Sequence, residues 1–471
     1  MNSKQLSTFL FFVIAAISLI LFKLDAITLP YYWDEIGVYG RAVLYMYDNG
    51  LGLLPATLPP EISRGHPLLF HFIYALLFNV FGTSVIVGHS ISLAFSIILL
   101  YVVFKFASDF FNRQTAFLAT LILITQPLFV AQSIFVLPEI MLTIFMLLAC
   151  YFYLHRQFYW MILFSSCAIM VKETGIVITA TIILYEIIQN IINKETKLLL
   201  IKRIMLFSCP IYVYLLFLII QKLQNGWYFF PLHISTEVLN FDGFTLKLKD
   251  YLRFIFIQQG RIFWSVIFLA GIIISFVYNK KKAFFNKAVG LLVVSTIVML
   301  IFSSINFYMN RYMMIMITVW SILTAYALQQ LYNYKLKIIF LVLAISLSIS
   351  TIALPLFYMN PKEFKYDEDM SYKKVIDVQQ KTIKFLEENL NENEKVYVNF
   401  PLNYSYADKR LGYSSRQDIT FTTQFTPDIQ YCAFIDPGTY NYHKPEGFLH
   451  LRTFSSSFAK VKLFKKARHK P

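Results

Sequence analysis

About eleven apolar runs of near bilayer-spanning length leave this chain few folds to choose from. They fall near residues 6–24, 83–105, 114–131, 138–154, 159–172, 175–192, 204–222, 262–278, 288–305, 312–332 and 338–358. A helix rises about 1.5 Å per residue, so roughly 20 apolar residues cross a hydrocarbon core. Inside lipid, every backbone polar group must find its partner within the protein, which makes such runs helical. The sequence therefore predicts a polytopic α-helical membrane protein. Composition agrees: 57% of the 471 residues are hydrophobic and 15% are charged, unlike a soluble globular chain. The fifth run is short and reads as broken or tilted.

The formal net charge of +15 does not indicate nucleic acid, because the basic residues gather in short loops between apolar runs. They are topology signals. With the N-terminus cytoplasmic and 67–82 lying along the outer surface, Lys105, Arg113, Arg156, Lys194, Lys197, Lys202, Arg203, Lys280, Lys281, Lys282, Lys287, Lys335 and Lys337 share the cytoplasmic side. Making 67–82 a span inverts every later loop, so it reads as an interfacial or re-entrant helix. The first run lacks a small-residue cleavage pattern and reads as a retained anchor. Cys150, Cys167 and Cys209 lie in apolar segments and Cys432 in a polar one, so no disulfide frame or metal motif follows. The expected location is the plasma (inner) membrane.

This topology places most unusual polar residues on the external face: loop 25–66, Glu139, the Lys172-Glu173 turn, loop 223–261 and Asn310-Arg311. Two parts are expected: a membrane catalytic part over 1–358, with an external first loop 25–82, and a soluble extracytoplasmic α/β domain over 361–471. In the latter, 371–390 has helical spacing, while 395–400, 430–435 and 460–464 read as short strands. Its basic end, Lys465 to Lys470, suits anionic lipid or glycan.

Asp34 and Glu35 follow the first run directly, behind Tyr31, Tyr32 and Trp33. A carboxylate at the hydrocarbon edge loses hydration and normally persists only with a partner or a task. Partial desolvation raises its proton affinity, which suits a base that deprotonates an acceptor hydroxyl; a solvated acidic loop is the alternative. Trp33 and Tyr32 offer flat faces for a sugar ring. Arg64 and His66, before Pro67, aim donors at the level of lipid phosphates or simply anchor there. Glu139 opens a span, where the helix dipole favours it. Lys172 and Glu173 must pair to be kept near membrane depth, as an ion pair capping their turn or as substrate ligands. Arg311, beside Tyr312, could bind phosphate with Arg253 and Arg261, since a guanidinium bonds phosphate oxygens bidentately; lipid headgroup contact is the alternative for each. Spacing does not support His233 and Glu61 as metal ligands, no metal is expected, and no nucleotide fingerprint is present.

At Trp33-Asp34-Glu35, Gly65-His66-Pro67-Leu68, Leu137-Pro138-Glu139, Lys172-Glu173-Thr174-Gly175 and Asn310-Arg311-Tyr312, the chain resembles the GT-C membrane glycosyltransferases. The resemblance is to the family of protein O-mannosyltransferases and the bacterial aminoarabinose transferase (glycosyltransferase family 39-like), over roughly residues 1–330. It implies a polyprenyl-phosphate-linked sugar as donor, work on the external face, Asp34 as the catalytic acidic residue and Glu139 as the second acidic residue. The aminoarabinose enzyme carries Lys-Pro-Pro where this chain has His66-Pro67-Leu68. The expected activity is inverting transfer of a monosaccharide to a hydroxyl acceptor on lipid, glycan or protein. Asp34 takes the proton, Arg311 holds the phosphate, and Glu139 and Glu35 position the acceptor or the reacting sugar. A flippase or transporter of a lipid-linked sugar, and a surface-polysaccharide ligase or polymerase, are the rivals. The absence of an internal repeat speaks against the first.

Overall fold

The computed structural model describes residues 3–232, 241–277, 286–306, 309–333, 368–416, 418–436, 445–457 and 459–467. The expected eleventh span (338–358), His233, Lys280 to Lys282, Lys335, Lys337 and the last basic residues from Arg468 lie outside them. Helices run in the order α1 (Ser3–Lys23), α2 (Gly40–Asn49), α3 (Pro60–Ser63), α4 (Leu69–Phe81), α5 (Val85–Phe110), α6 (Arg113–Ile124), α7 (Pro127–Gln132), α8 (Glu139–Leu154), α9 (Phe158–Val171), α10 (Ile176–Asn193), α11 (Lys197–Phe207) and α12 (Cys209–Asn225). They continue as α13 (Phe241–Phe256), α14 (Arg261–Val277), α15 (Lys287–Ile305), α16 (Met314–Asn333) and α17 (Tyr372–Asn389).

Among the described residues, five helical segments are long and apolar enough to cross a membrane, and two bent pairs bring the number to seven. Four shorter apolar helices, α4, α6, α8 and α9, complete the bundle. The chain is thus a multi-pass membrane protein, with spans less uniform than the hydropathy suggests. Proline explains two of the departures. The run at 114–131 breaks after Ile124, because Pro127 lacks an N–H and disfavours helix at Gln126. The run at 204–222 is bent by 41° between α11 and α12, next to Pro210. α4 has 13 residues, about 20 Å, short of a hydrocarbon core. Three helices lie where loops are expected, α2, the single-turn α3 and α13, and α13 meets α14 at 82°.

The C-terminal part is a five-stranded sheet of order β2-β1-β3-β5-β4, with α17 packed on it: β1 Lys395–Val398, β2 Thr420–Thr422, β3 Tyr431–Asp436, β4 Phe448–Ser455 and β5 Lys460–Lys466. β1 pairs in parallel with β2 and β3, and β5 pairs antiparallel with β3 and β4. The sequence reading misses β2 and β4. β2 has only three residues, and β4 is an edge strand bulged between His450 and Arg452 with most residues exposed, so neither alternates like a half-buried strand.

This sheet domain is built onto the segment that follows α1. Lys23, fully buried, donates to the Tyr372 hydroxyl at 3.4 Å, and Lys373 pairs with Asp25 at 2.6 Å. The Tyr31 N–H donates to the Leu411 carbonyl at 3.0 Å, and Arg410 grips both oxygens of Asp48 at 2.9 and 2.5 Å.

Candidate active site

Four ionised side chains meet where α8 begins, α9 ends and α16 is entered. Asp34 lies in the turn before a π-helical stretch, Glu35–Tyr39, whose bond from Gly40 N–H to Glu35 O reaches back five residues. Such turns are rare and frequent at functional sites. Trp33 adopts the left-handed region, with φ 51°, and this turns the backbone so that Asp34 faces the bundle. Glu139 is the first residue of α8, behind Pro138. Lys172 is extended and ends α9, and Arg311 lies in the 3₁₀ turn Asn310–Met313 that leads into α16. Gly175 lets the Lys172-Glu173 turn close: a Cβ there would lie 2.3 Å from the carbonyl carbon of Ala168.

The Arg311 guanidinium bridges the two acids. Its Nη2 donates to Asp34 Oδ2, and its Nε donates to Glu139 Oε1 at 3.3 Å. Lys172 Nζ donates to the same Glu139 oxygen at 3.0 Å and lies 3.6 Å from the centre of the Tyr312 ring. Arg311, Lys172 and Glu139 are almost fully buried, whereas the Asp34 side chain is 18% exposed. Two carboxylates against two cations make the quartet neutral, which is how charges at this depth are tolerated. Asp34 is therefore the most exposed member of the quartet. The other Glu139 oxygen, Oε2, is buried and has no hydrogen-bond partner among the described residues. Buried carboxylate oxygens are rarely left so, and this one is an acceptor suited to a ligand hydroxyl.

The proton affinity of Asp34 departs from the sequence expectation. Burial alone raises it, but the charge of Arg311, the Arg311 hydrogen bond and the charges of Arg64 and Lys172 outweigh burial and hold it below the ordinary carboxylate range. Beside the quartet, His66 Nδ1 contacts Glu173 Oε2 at 2.9 Å, and the His66 ring stacks on Tyr39. Asp34, Glu139, Lys172, Arg311, Tyr312, Arg64, His66 and Glu173 are thus brought into one neighbourhood.

Other expected site residues are used differently. Glu35 is not presented to a ligand. It is fully buried, and its two oxygens accept the backbone N–H of Tyr32 at 2.8 Å and of Val136 at 2.6 Å, tying the Asp34 turn to the segment before Glu139. Tyr32 and Trp33 are buried, so they offer no sugar platform: Tyr32 packs near Phe135 and Tyr372, and Trp33 meets Phe400 edge-on at 4.9 Å. Arg261 is fully buried and gives its guanidinium to the Phe254 carbonyl, Gln259 and Gln126. Arg253 is exposed on α13, and its side chain makes no hydrogen bond or ion pair among the described residues. Arg261 is therefore not placed as a phosphate ligand, because its guanidinium serves the local needs of its helix end. Sequence reasoning missed His89, whose Nδ1–H donates to the Ile27 carbonyl and whose Nε2 lies 3.4 Å from Glu35. A histidine inside an apolar span was the available signal. Among the described residues, no group of three or more His, Cys, Asp or Glu side chains is arranged to hold a metal ion.

Comparison with solved structures fits this arrangement. The chain superposes on ArnT from Cupriavidus metallidurans in the apo state with a TM-score of 0.62 at 12% identity, covering 98% of each chain. ArnT bound to undecaprenyl phosphate gives 0.61, again at 12% identity and 98% of each chain. The fold is that of the GT-C membrane glycosyltransferases. A more distant GT-C structure, the oligosaccharyltransferase AglB from Archaeoglobus fulgidus with an inhibitory peptide and a dolichol-phosphate, gives 0.56 at 12% identity, covering 92% of this chain and 70% of that one. A family model described as dolichyl-phosphate-mannose-protein mannosyltransferase matches residues 65–215, a segment holding His66, Glu139, Lys172 and Glu173. No curated protein matches the chain by sequence.

Proposed function

We propose that this GT-C protein is an inverting glycosyltransferase that moves a monosaccharide from a polyprenyl-phosphate donor to a hydroxyl acceptor at the external face of the plasma membrane. One observation carries the reading: a single guanidinium joins Asp34 to Glu139, from segments about a hundred residues apart, at a solvent-reached edge of the bundle. The undecaprenyl phosphate in the ArnT structure and the dolichol-phosphate in AglB support the donor class. The positive-inside pattern supports an external site, a cytoplasmic N-terminus and an extracytoplasmic sheet domain.

The acceptor oxygen attacks the anomeric carbon as the bond from that carbon to the phosphate oxygen breaks. The acceptor proton passes to Asp34, and polyprenyl phosphate leaves with the electron pair. Phosphate is a weak base, so its departure needs charge stabilisation more than a proton, and Arg311 and Lys172 supply positive charge in a buried setting. Glu139 Oε2 is placed to accept a hydrogen bond from a substrate hydroxyl. As donor phosphate draws Arg311 toward itself, Asp34 loses part of its ion pair and regains basicity when the acceptor arrives. The test is purified protein in detergent with labelled polyprenyl-phosphate sugars and candidate acceptors. Release of polyprenyl phosphate that requires acceptor is expected; movement of intact donor across vesicles without cleavage refutes the reading.

A further inference from the structure

The C-terminal sheet domain reaches the Asp34 turn through the Phe400 ring, with Tyr404 beside it. Phe400, just past β1, lies edge-on to Trp33 with ring centres 4.9 Å apart. The same ring covers Gly37 inside the π-helical stretch, where a Cβ would fall 2.9 Å from Phe400 Cε2. Phe400 thus contacts the chain on both sides of Asp34, at the residue before it and three residues after it. Trp33 holds a backbone conformation, φ 51°, that L side chains rarely adopt and keep only where surrounding packing enforces it. Two further ties hold the neighbouring chain from the same domain: the Tyr31 N–H to the Leu411 carbonyl, and the Tyr404 ring 5.1 Å from the Arg41 guanidinium. From the membrane side, Arg311 holds the Asp34 carboxylate and the Val136 N–H donates to Glu35. Asp34 is therefore set between two bodies, with membrane helices below it and the sheet domain above.

We infer that Phe400 is a positioning residue for transfer: the sheet domain presses the Trp33 turn into place and so aims Asp34 at the acceptor. This rests on the proposed transferase reading. Donor contacts come from Arg311 and Lys172, which Phe400 does not touch, so the loss of its ring should affect turnover rather than donor binding. Misplacing a reacting group by about 1 Å can cost on the order of a hundredfold.

The experiment compares wild type, Phe400→Ala, Phe400→Tyr and Lys373→Ala. The last breaks a different tie of the same domain, the Asp25 pair. Hydrogen exchange is followed by mass spectrometry over 29–40, and transfer kinetics are measured alongside. Phe400→Ala is expected to speed exchange across 29–40, leave exchange in α8 and α17 unchanged, and lower kcat at least tenfold with the donor KM within about twofold. Phe400→Tyr should restore both, and Lys373→Ala should leave both as in wild type. Unchanged exchange over 29–40 in Phe400→Ala overturns the inference. So does equal loss of kcat in Lys373→Ala, which makes Phe400 ordinary domain packing. Exchange reads the brace without substrate, so absence of wild-type transfer would count against the transferase reading and not against this contact.

Discussion

Asp34→Asn separates chemistry from architecture at this site. The amide keeps the shape of the carboxylate and can still accept a bond from Arg311, while Glu139 continues to hold the other side of the guanidinium. What is lost is one charge-assisted hydrogen bond, about 1.5–3 kcal/mol. Loss of a general base costs about 10²–10⁴ in rate. The variant should therefore still fold, insert and purify, with unfolding stability lowered by no more than about 1.5–3 kcal/mol, yet transfer at least a hundredfold more slowly. The pH profile sharpens the prediction. The carboxyl of Asp34 is held below its ordinary range, so the acid limb of kcat/KM should lie on the acid side of the ordinary carboxylate range. If donor phosphate draws Arg311 away, the limb of kcat should lie higher, because kcat reports the loaded enzyme. A depressed folded pKa stabilises the fold above the unfolded value, and that stability is lost as pH falls through the folded value. Asp34→Asn should accordingly flatten the acid-side decline of unfolding stability. The assay is release of labelled polyprenyl phosphate across a pH series, with thermal unfolding in parallel. Wild-type turnover by Asp34→Asn would remove Asp34 as the base, and coincident acid limbs for kcat and kcat/KM would refute the release of Asp34 by donor phosphate.

Further expectations follow from the same geometry. Lys172→Met leaves Glu139 buried with only half its positive company and should destabilise by about 3–5 kcal/mol. Glu139→Gln in the same chain should recover part of that, visible as a positive coupling in a double-mutant cycle of unfolding free energies. Arg261→Met should leave donor KM unchanged while lowering thermal stability, by about 1–3 kcal/mol for each buried acceptor left unpaired; a rise in donor KM without loss of stability would restore Arg261 as a phosphate ligand.

The primary sequence alone determined the class of fold and singled out most of the residues that the candidate site brings together. Runs of apolar residues dictate helices in lipid whatever their neighbours do, and Asp34, Glu139, Lys172 and Arg311 stand out because charge at membrane depth is too costly to keep without a partner or a task. Long-range contacts decided what each group does. Asp34 and Glu35 are adjacent and chemically alike, yet one is partly exposed and bonded by Arg311 while the other is consumed by the N–H groups of Tyr32 and Val136. Nothing local distinguishes them, because the choice depends on which segment packs against each face of the turn. The same holds for proton affinity. Burial and counter-charge pull Asp34 in opposite directions, and their balance depends on Arg311, 277 residues away in sequence. Phe400 carries no signal in the text at all: an aromatic after a strand acquires a role only when the sheet domain folds back onto Trp33.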